Sequence, residues 1–173
     1  MSNSVQVLAV PHQIQGEKFD GWVKPDLGYE LLVKSLIAQV DFVFEEAAGR
    51  LPSVAQDLAH KSLGLGHYLD VDPSPDERGQ YGIAKETGAS WAIAPTRCED
   101  SCRSEFIKEH RKREEVWLQK IQSRSFAKGL MICGTAHGLS FAFRLQCAGL
   151  TDVELHEYLP YNKLQDEGNC GHV

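Results

Sequence analysis

Three apolar runs in this chain end in residues that can move protons or hold a metal. Leu130-Met131-Ile132-Cys133 leads through Gly134-Thr135-Ala136 to His137 at the mouth of a helix. Val5-Gln6-Val7-Leu8-Ala9-Val10 is followed by Pro11-His12, and Val40-Asp41-Phe42-Val43-Phe44 by Glu45-Glu46. Strands buried on both faces read as such continuous runs, and open α/β sheets gather ligands at the carboxyl ends of their strands. If the three strands are parallel neighbours, two imidazoles and a carboxylate converge. These groups suit a zinc, manganese or non-haem iron site, and they equally form a metal-free acid/base set. A single histidine after a strand is more often a hydrogen-bonded turn residue; three coincident strand ends give the functional reading its weight. The adjacent glutamates must point to different sides of a strand. Glu45 is preferred as the ligand because it directly ends the apolar run, with Glu46 kept as the other candidate.

The elements that would position these residues follow from spacing. A polar stretch, 13–24, reads as a loop over the first strand end. Asp26 offers an N-cap, and Tyr29, Leu32, Val33, Leu36, Ile37 and Val40 fall at helical spacing along one stripe. A second strand spans 40–46. Ser53-x-x-Gln56 is a capping-box pattern that opens a helix with Val54, Leu58 and Ala59 inward, stopped by Gly64 and Gly66. The segment 67–72 reads as a third strand ending in the turn Asp72-Pro73-Ser74-Pro75. Little can be read from 76–97, although Trp91-Ala92-Ile93-Ala94 fits a short strand. A long charged helix is expected over about 104–124, with most of the cluster His110 to Glu115, Arg113 excepted, on a solvated face. A helix over about 139–147 closes at Gly149, and 153–159 makes the final strand. Repeated strand-helix succession predicts an α/β three-layer sandwich, a mostly parallel sheet flanked by helices. One domain is expected over 1–173, with its core in 5–159 and an irregular tail at 160–173.

Composition narrows the function. The formal charge is −6 over 173 residues, which argues against a nucleic-acid-binding face, since phosphate contacts need basic residues. The start, Met1-Ser2-Asn3-Ser4, has no basic leader pattern, and no apolar run nears the roughly 18 residues that cross a bilayer. A cytoplasmic location without membrane contact is therefore expected. Five cysteines, Cys98, Cys102, Cys133, Cys147 and Cys170, show no paired C-x-x-C spacing and read as reduced thiols. Cys170-Gly171-His172 is a weak metal signal in the tail.

In their order along the chain, Pro11-His12, Glu45-Glu46 and Gly134-Thr135-Ala136-His137 resemble the motifs of the superfamily that holds the TraB/Tiki proteins, the ChaN-like haem-associated proteins and the erythromycin-esterase-like enzymes. Arg113, with Trp117, Leu118 and Ile121 at matching offsets, resembles that group's Arg-led helix. The likeness runs from Val5 to about Tyr158. The chain departs from the pattern at Ala9-Val10-Pro11, where the group carries Gly or Gly-Glu, and so lacks one candidate carboxylate. The resemblance implies a metal-assisted hydrolase that uses manganese or zinc, with His12, Glu45 and His137 as ligands. Alternatively His12 and His137 would act as bases, with Glu45 or Glu46 as the general base, and Arg113 would bind an anionic group or the transition-state charge. The alternative it implies is a ChaN-like binding protein without turnover, for which His67, Tyr68, Tyr81 and His110 are the conceivable haem contacts. The expected partners are a small-molecule or peptide substrate, with a homodimer as an option.

Overall fold

The computed structural model describes residues 3–15, 26–47, 52–83 and 100–159. The loop residues 16–25, the proposed strand at Trp91–Ala94, Cys98 and the tail with Cys170-Gly171-His172 lie outside them. The chain forms two compact units, one from 1–70 with 125–173 and one from 71–124.

The first unit is built on a five-stranded sheet in the order β3-β2-β4-β1-β5, with every pair parallel. Its strands are β1 (Ser4–Val10), β2 (Phe42–Glu45), β3 (Tyr68–Asp70), β4 (Lys128–Gly134) and β5 (Asp152–Glu157). Leu8, Val10, Val43, Leu130 and Ile132 face α1 (Leu27–Ile37) and α2 (Val54–Ser62) and form one core with Tyr29, Val33, Leu36, Ile37, Val54, Ala55 and Ala59. α5 (Gly138–Cys147) covers the other face: a Cβ added at Gly138 would meet the Cβ of Ala9 at 2.5 Å and Leu155 at 3.4 Å. Helices thus flank the sheet on both faces, which is the three-layer α/β arrangement expected from the apolar runs.

Caps close these helices as the sequence indicates. Asp26 accepts the Gly28 N–H at 2.9 Å and Ser53 accepts the Gln56 N–H at 3.0 Å. Gly149, at φ +89°, ends α5 with the Leu150 N–H donating to the Leu145 carbonyl. β2 is shorter than expected because the Asp41 carboxylate turns to accept the Ala127 and Lys128 N–H groups at the foot of β4. β3 is cut to Tyr68–Asp70 by a 3-10 turn at Leu65–His67.

The second unit holds α3 (Pro75–Gln80) and α4 (Asp100–Gln122). The expected turn at Asp72-Pro73-Ser74-Pro75 instead opens α3: Ser74 accepts the Glu77 N–H, and the Glu77 carboxylate accepts the Ser74 N–H. Asp72 forms the node of this unit. One carboxylate oxygen accepts from Arg78 at 2.7 Å, and the other from Arg113 at 2.7 and 3.1 Å and from Trp117 Nε1 at 3.3 Å. The Arg113 guanidinium also stands 5.5 Å from the centre of the Trp117 ring. No described helix is long and apolar enough to cross a membrane.

Candidate acid-base site at the carboxyl edge of the sheet

The connections that leave β1 and β4 run in opposite directions across the sheet, one to β2 and one to β5. They pass over opposite faces, so the strand ends part and open a crevice, where ligands collect in doubly wound sheets. Three groups from three neighbouring strands stand there.

His12 follows β1 in a 3-10 turn, His12–Ile14, which Pro11 starts in extended backbone. The turn brings residues three apart onto one side, and His12 Nδ1 lies 2.8 Å from the side-chain oxygen of Gln15. A carboxamide oxygen only accepts, so Nδ1 is the donor in this pair. The Gln15 carbonyl in turn accepts the Val54 N–H at 3.0 Å, which ties the turn to the start of α2.

Glu46 follows β2. Its N–H donates to the Ile132 carbonyl at 2.8 Å, and one carboxylate oxygen accepts the Gly134 N–H at 2.8 Å. The other oxygen stands 3.5 Å from His12 Nε2 and 3.9 Å from His137 Nε2. His137 ends the turn after β4, its N–H donating to the Gly134 carbonyl and its carbonyl receiving the Phe141 N–H of α5. The Glu46 side chain is wholly buried, that of His137 is 2 % exposed and that of His12 is 33 % exposed. His12 is therefore the exposed member of the three.

Gly134 is required by close approach. A Cβ there would fall 2.3 Å from His12 Nε2 and 2.6 Å from Cε1, so the imidazole occupies the space that a side chain would take. The Gly134-x-x-His137-Gly138 pattern thus admits the ring at one glycine and seats α5 on the sheet at the other.

Glu45 turns to the opposite side. It alternates with Phe44 and shares the Val43 face, where the hydroxyls of Ser53 and Tyr68 both donate to its Oε2, the latter at 2.8 Å. Burial, and then the charge of Glu45, push the hydroxyl pKa of both Tyr29 and Tyr68 well up. The contacts that join imidazole to carboxylate run through Glu46, in place of the Glu45 preferred from the sequence. Arg113 sits in the other unit, in the embrace of Asp72 and Trp117. Of the conceivable haem contacts, Tyr68 is engaged by Glu45, His67 Nδ1 by the Asp41 carbonyl, and Tyr81 is exposed. Gln15, Tyr29 and Ser53 were not singled out as site residues on the sequence. The signal for Gln15 was its i+3 spacing from His12 in a Pro-initiated turn.

Among the described residues, no three or more His, Cys, Asp or Glu side chains are grouped so that they could hold a metal ion. One oxygen of Glu46 is already committed to the Gly134 N–H. The arrangement lends itself to proton transfer: 3.5–3.9 Å separations are spanned by a shared water or substrate hydroxyl at ordinary hydrogen-bond lengths, and they suit an ion pair once an imidazole is protonated.

Tyr158 closes the rim of α1. Desolvation, followed by its hydrogen bond to Asp26 and that residue's charge, pushes its hydroxyl up to about 12. The ordinary value is about 10. A raised folded-state pKa contributes stability that is complete below pH 10 and is lost as pH rises through 12. Melting temperature is expected to fall across that window, with Tyr29 and Tyr68 acting in the same sense, and Tyr158→Phe should show a shallower fall. Parallel slopes for wild type and variant in an alkaline melting series would count against it.

In comparisons with known proteins, the chain matches no protein-family model, no curated protein and no solved structure.

Proposed function

We propose that this protein is a hydrolase that works by proton transfer at His12, supported by Glu46 and positioned by His137, on a small-molecule or peptide substrate. One observation carries this reading: a single oxygen of a wholly buried carboxylate lies within 4 Å of Nε2 of both imidazoles, at the carboxyl edge of three adjacent strands. His12 Nε2 takes a proton from water, and the resulting hydroxide attacks the electrophilic centre of the substrate. The imidazolium, steadied by Glu46, then returns the proton to the leaving group. Gln15 fixes the tautomer that this requires. His137, nearly enclosed, is a positioning residue that sets the Glu46 carboxylate.

The test is a panel of chromogenic carboxyl esters, amides, phosphomonoesters and phosphodiesters, run with the full chain in the presence of chelator. Turnover of one class is expected, with kcat/KM reduced by about 100-fold or more in His12→Ala and in Glu46→Gln, in keeping with the usual worth of a general base. Retained turnover in both variants would remove the site. Activity that is lost to chelator and restored by manganese or zinc would replace proton transfer with the metal-assisted mechanism. In that case the same ions should raise the melting temperature of wild type and leave a His12→Ala, His137→Ala double mutant unmoved.

A further inference from the structure

Glu45 is wholly buried and turned away from the two imidazoles, yet it heads a line of hydrogen bonds that ends on one of them. Its Oε2 accepts the hydroxyl of Ser53 and, at 2.8 Å, that of Tyr68. The single proton of Ser53 is thereby committed to Glu45, which leaves the lone pairs of Oγ to accept the Gln56 N–H at 3.0 Å and start α2. The next residue, Val54, donates its N–H to the Gln15 carbonyl at 3.0 Å. Gln15 in turn receives Nδ1 of His12 on its side-chain oxygen at 2.8 Å.

Each link is confined. Glu45, Ser53 and Gln15 are fully buried, so a lost bond is not made good by bulk water. The Val54 N–H lies in the first turn of α2, where no carbonyl of the helix can receive it. The Gln15 N–H is already used by the His12 carbonyl, at 3.3 Å in the 3-10 turn. Gln15 is therefore gripped by the turn at its N–H and by α2 at its carbonyl, and its side-chain oxygen is held against the ring. In a neutral imidazole, the nitrogen that donates leaves the other as the base.

We propose that Glu45 is a positioning residue for His12, acting through Ser53, the first turn of α2 and Gln15 to keep the ring proton on Nδ1 and the lone pair on Nε2. The proposal rests on the hydrolase reading and adds to it a residue that touches neither imidazole. Strand alternation thus puts two adjacent glutamates to work on one histidine, Glu46 facing Nε2 and Glu45 reaching Nδ1 from the other side of the sheet.

The tautomer is read on the ¹⁵N-labelled full chain at alkaline pH, from long-range ¹H–¹⁵N correlations of the His12 ring, identified by their loss in His12→Ala. Wild type is expected to carry the proton on Nδ1. Ser53→Gly removes the hydroxyl and keeps a residue that serves well at an N-cap, so the melting temperature should fall little. It should move ring-proton population to Nε2 and cut kcat by about tenfold or more with KM changed less than about twofold, the pattern of a displaced catalytic group. Ser53→Thr, which returns the hydroxyl, should restore both readings. Glu45→Gln should act in the same direction and more weakly, because a carboxylate holds its donors roughly twice as strongly as a neutral oxygen does. That variant carries the test if Ser53→Gly fails to fold. Val33→Ala, a core truncation on α1, should lower the melting temperature and leave the tautomer and kcat as in wild type. A wild-type tautomer in Ser53→Gly or in Glu45→Gln would overturn the proposal, as would an equal change in Val33→Ala. Since the tautomer is read without turnover, a wild type that hydrolyses nothing would strike the hydrolase reading and leave this result standing.

Discussion

Replacing Asp72 with alanine is expected to lower stability by about 3–5 kcal/mol, the cost of removing one partner from a buried ion pair. Asp72 is 5 % exposed, and Arg78 and Arg113 are each 6 % exposed. Its two oxygens receive both guanidiniums and the Trp117 indole, while Lys120 donates to its backbone carbonyl at 3.3 Å. Removing the side chain takes from two buried guanidiniums the carboxylate that they share. Exposed pairs are worth far less, usually under about 1 kcal/mol, so the contrast between this node and Lys112–Glu109 on the surface tests the argument. Chemical denaturation of Asp72→Ala beside Glu109→Ala provides the measurement. Losses of similar size would mean that solvent screens the node as it screens the surface.

The second large effect concerns function. Gly134→Ala is expected to reduce turnover by roughly 100-fold or more, the penalty that a displacement of about 1 Å can carry at a positioned catalytic group. The new methyl would overlap the His12 ring, with nothing flexible between it and the imidazole. The ring must swing away from both Gln15 and Glu46. Gly138→Ala offers a comparison, since its Cβ would press on Ala9 beneath α5 and leave the His12 ring untouched. Gly138→Ala should lower the melting temperature, and Gly134→Ala should act chiefly on kcat. If Gly134→Ala kept wild-type kcat, the imidazole would have no catalytic duty.

Much of the sheet could be read because its central strands are apolar on both faces. Val5 to Val10 and Leu130 to Cys133 admit few alternatives, and His12 and His137 follow from them. What could not be read depended on partners distant in sequence. Nothing local distinguishes Glu45 from Glu46: the choice is made by strand alternation relative to Ser53 and Tyr68 on one side and His12 on the other. Asp72 looked like a turn former because a proline follows it, yet two arginines, one of them 41 residues away, make it a buried anion. Arg113 drew attention through a resemblance of pattern, and a sequence pattern does not reveal that a guanidinium is held by a carboxylate and an indole.

The place of β4 has a consequence for how the chain reaches this state. It lies between β1 and β2, and both partners of β1, β4 and β5, follow it by more than a hundred residues. A growing chain therefore carries a long-completed β1, apolar and with both edges unpaired, until Lys128 and its successors emerge. Loop closure over such distances is slow, and bare apolar edges invite pairing with other chains in the meantime. The strand that joins His12 to Glu46 is thus also the one that ends this vulnerable interval. Sheet closure and site assembly become a single late event in folding.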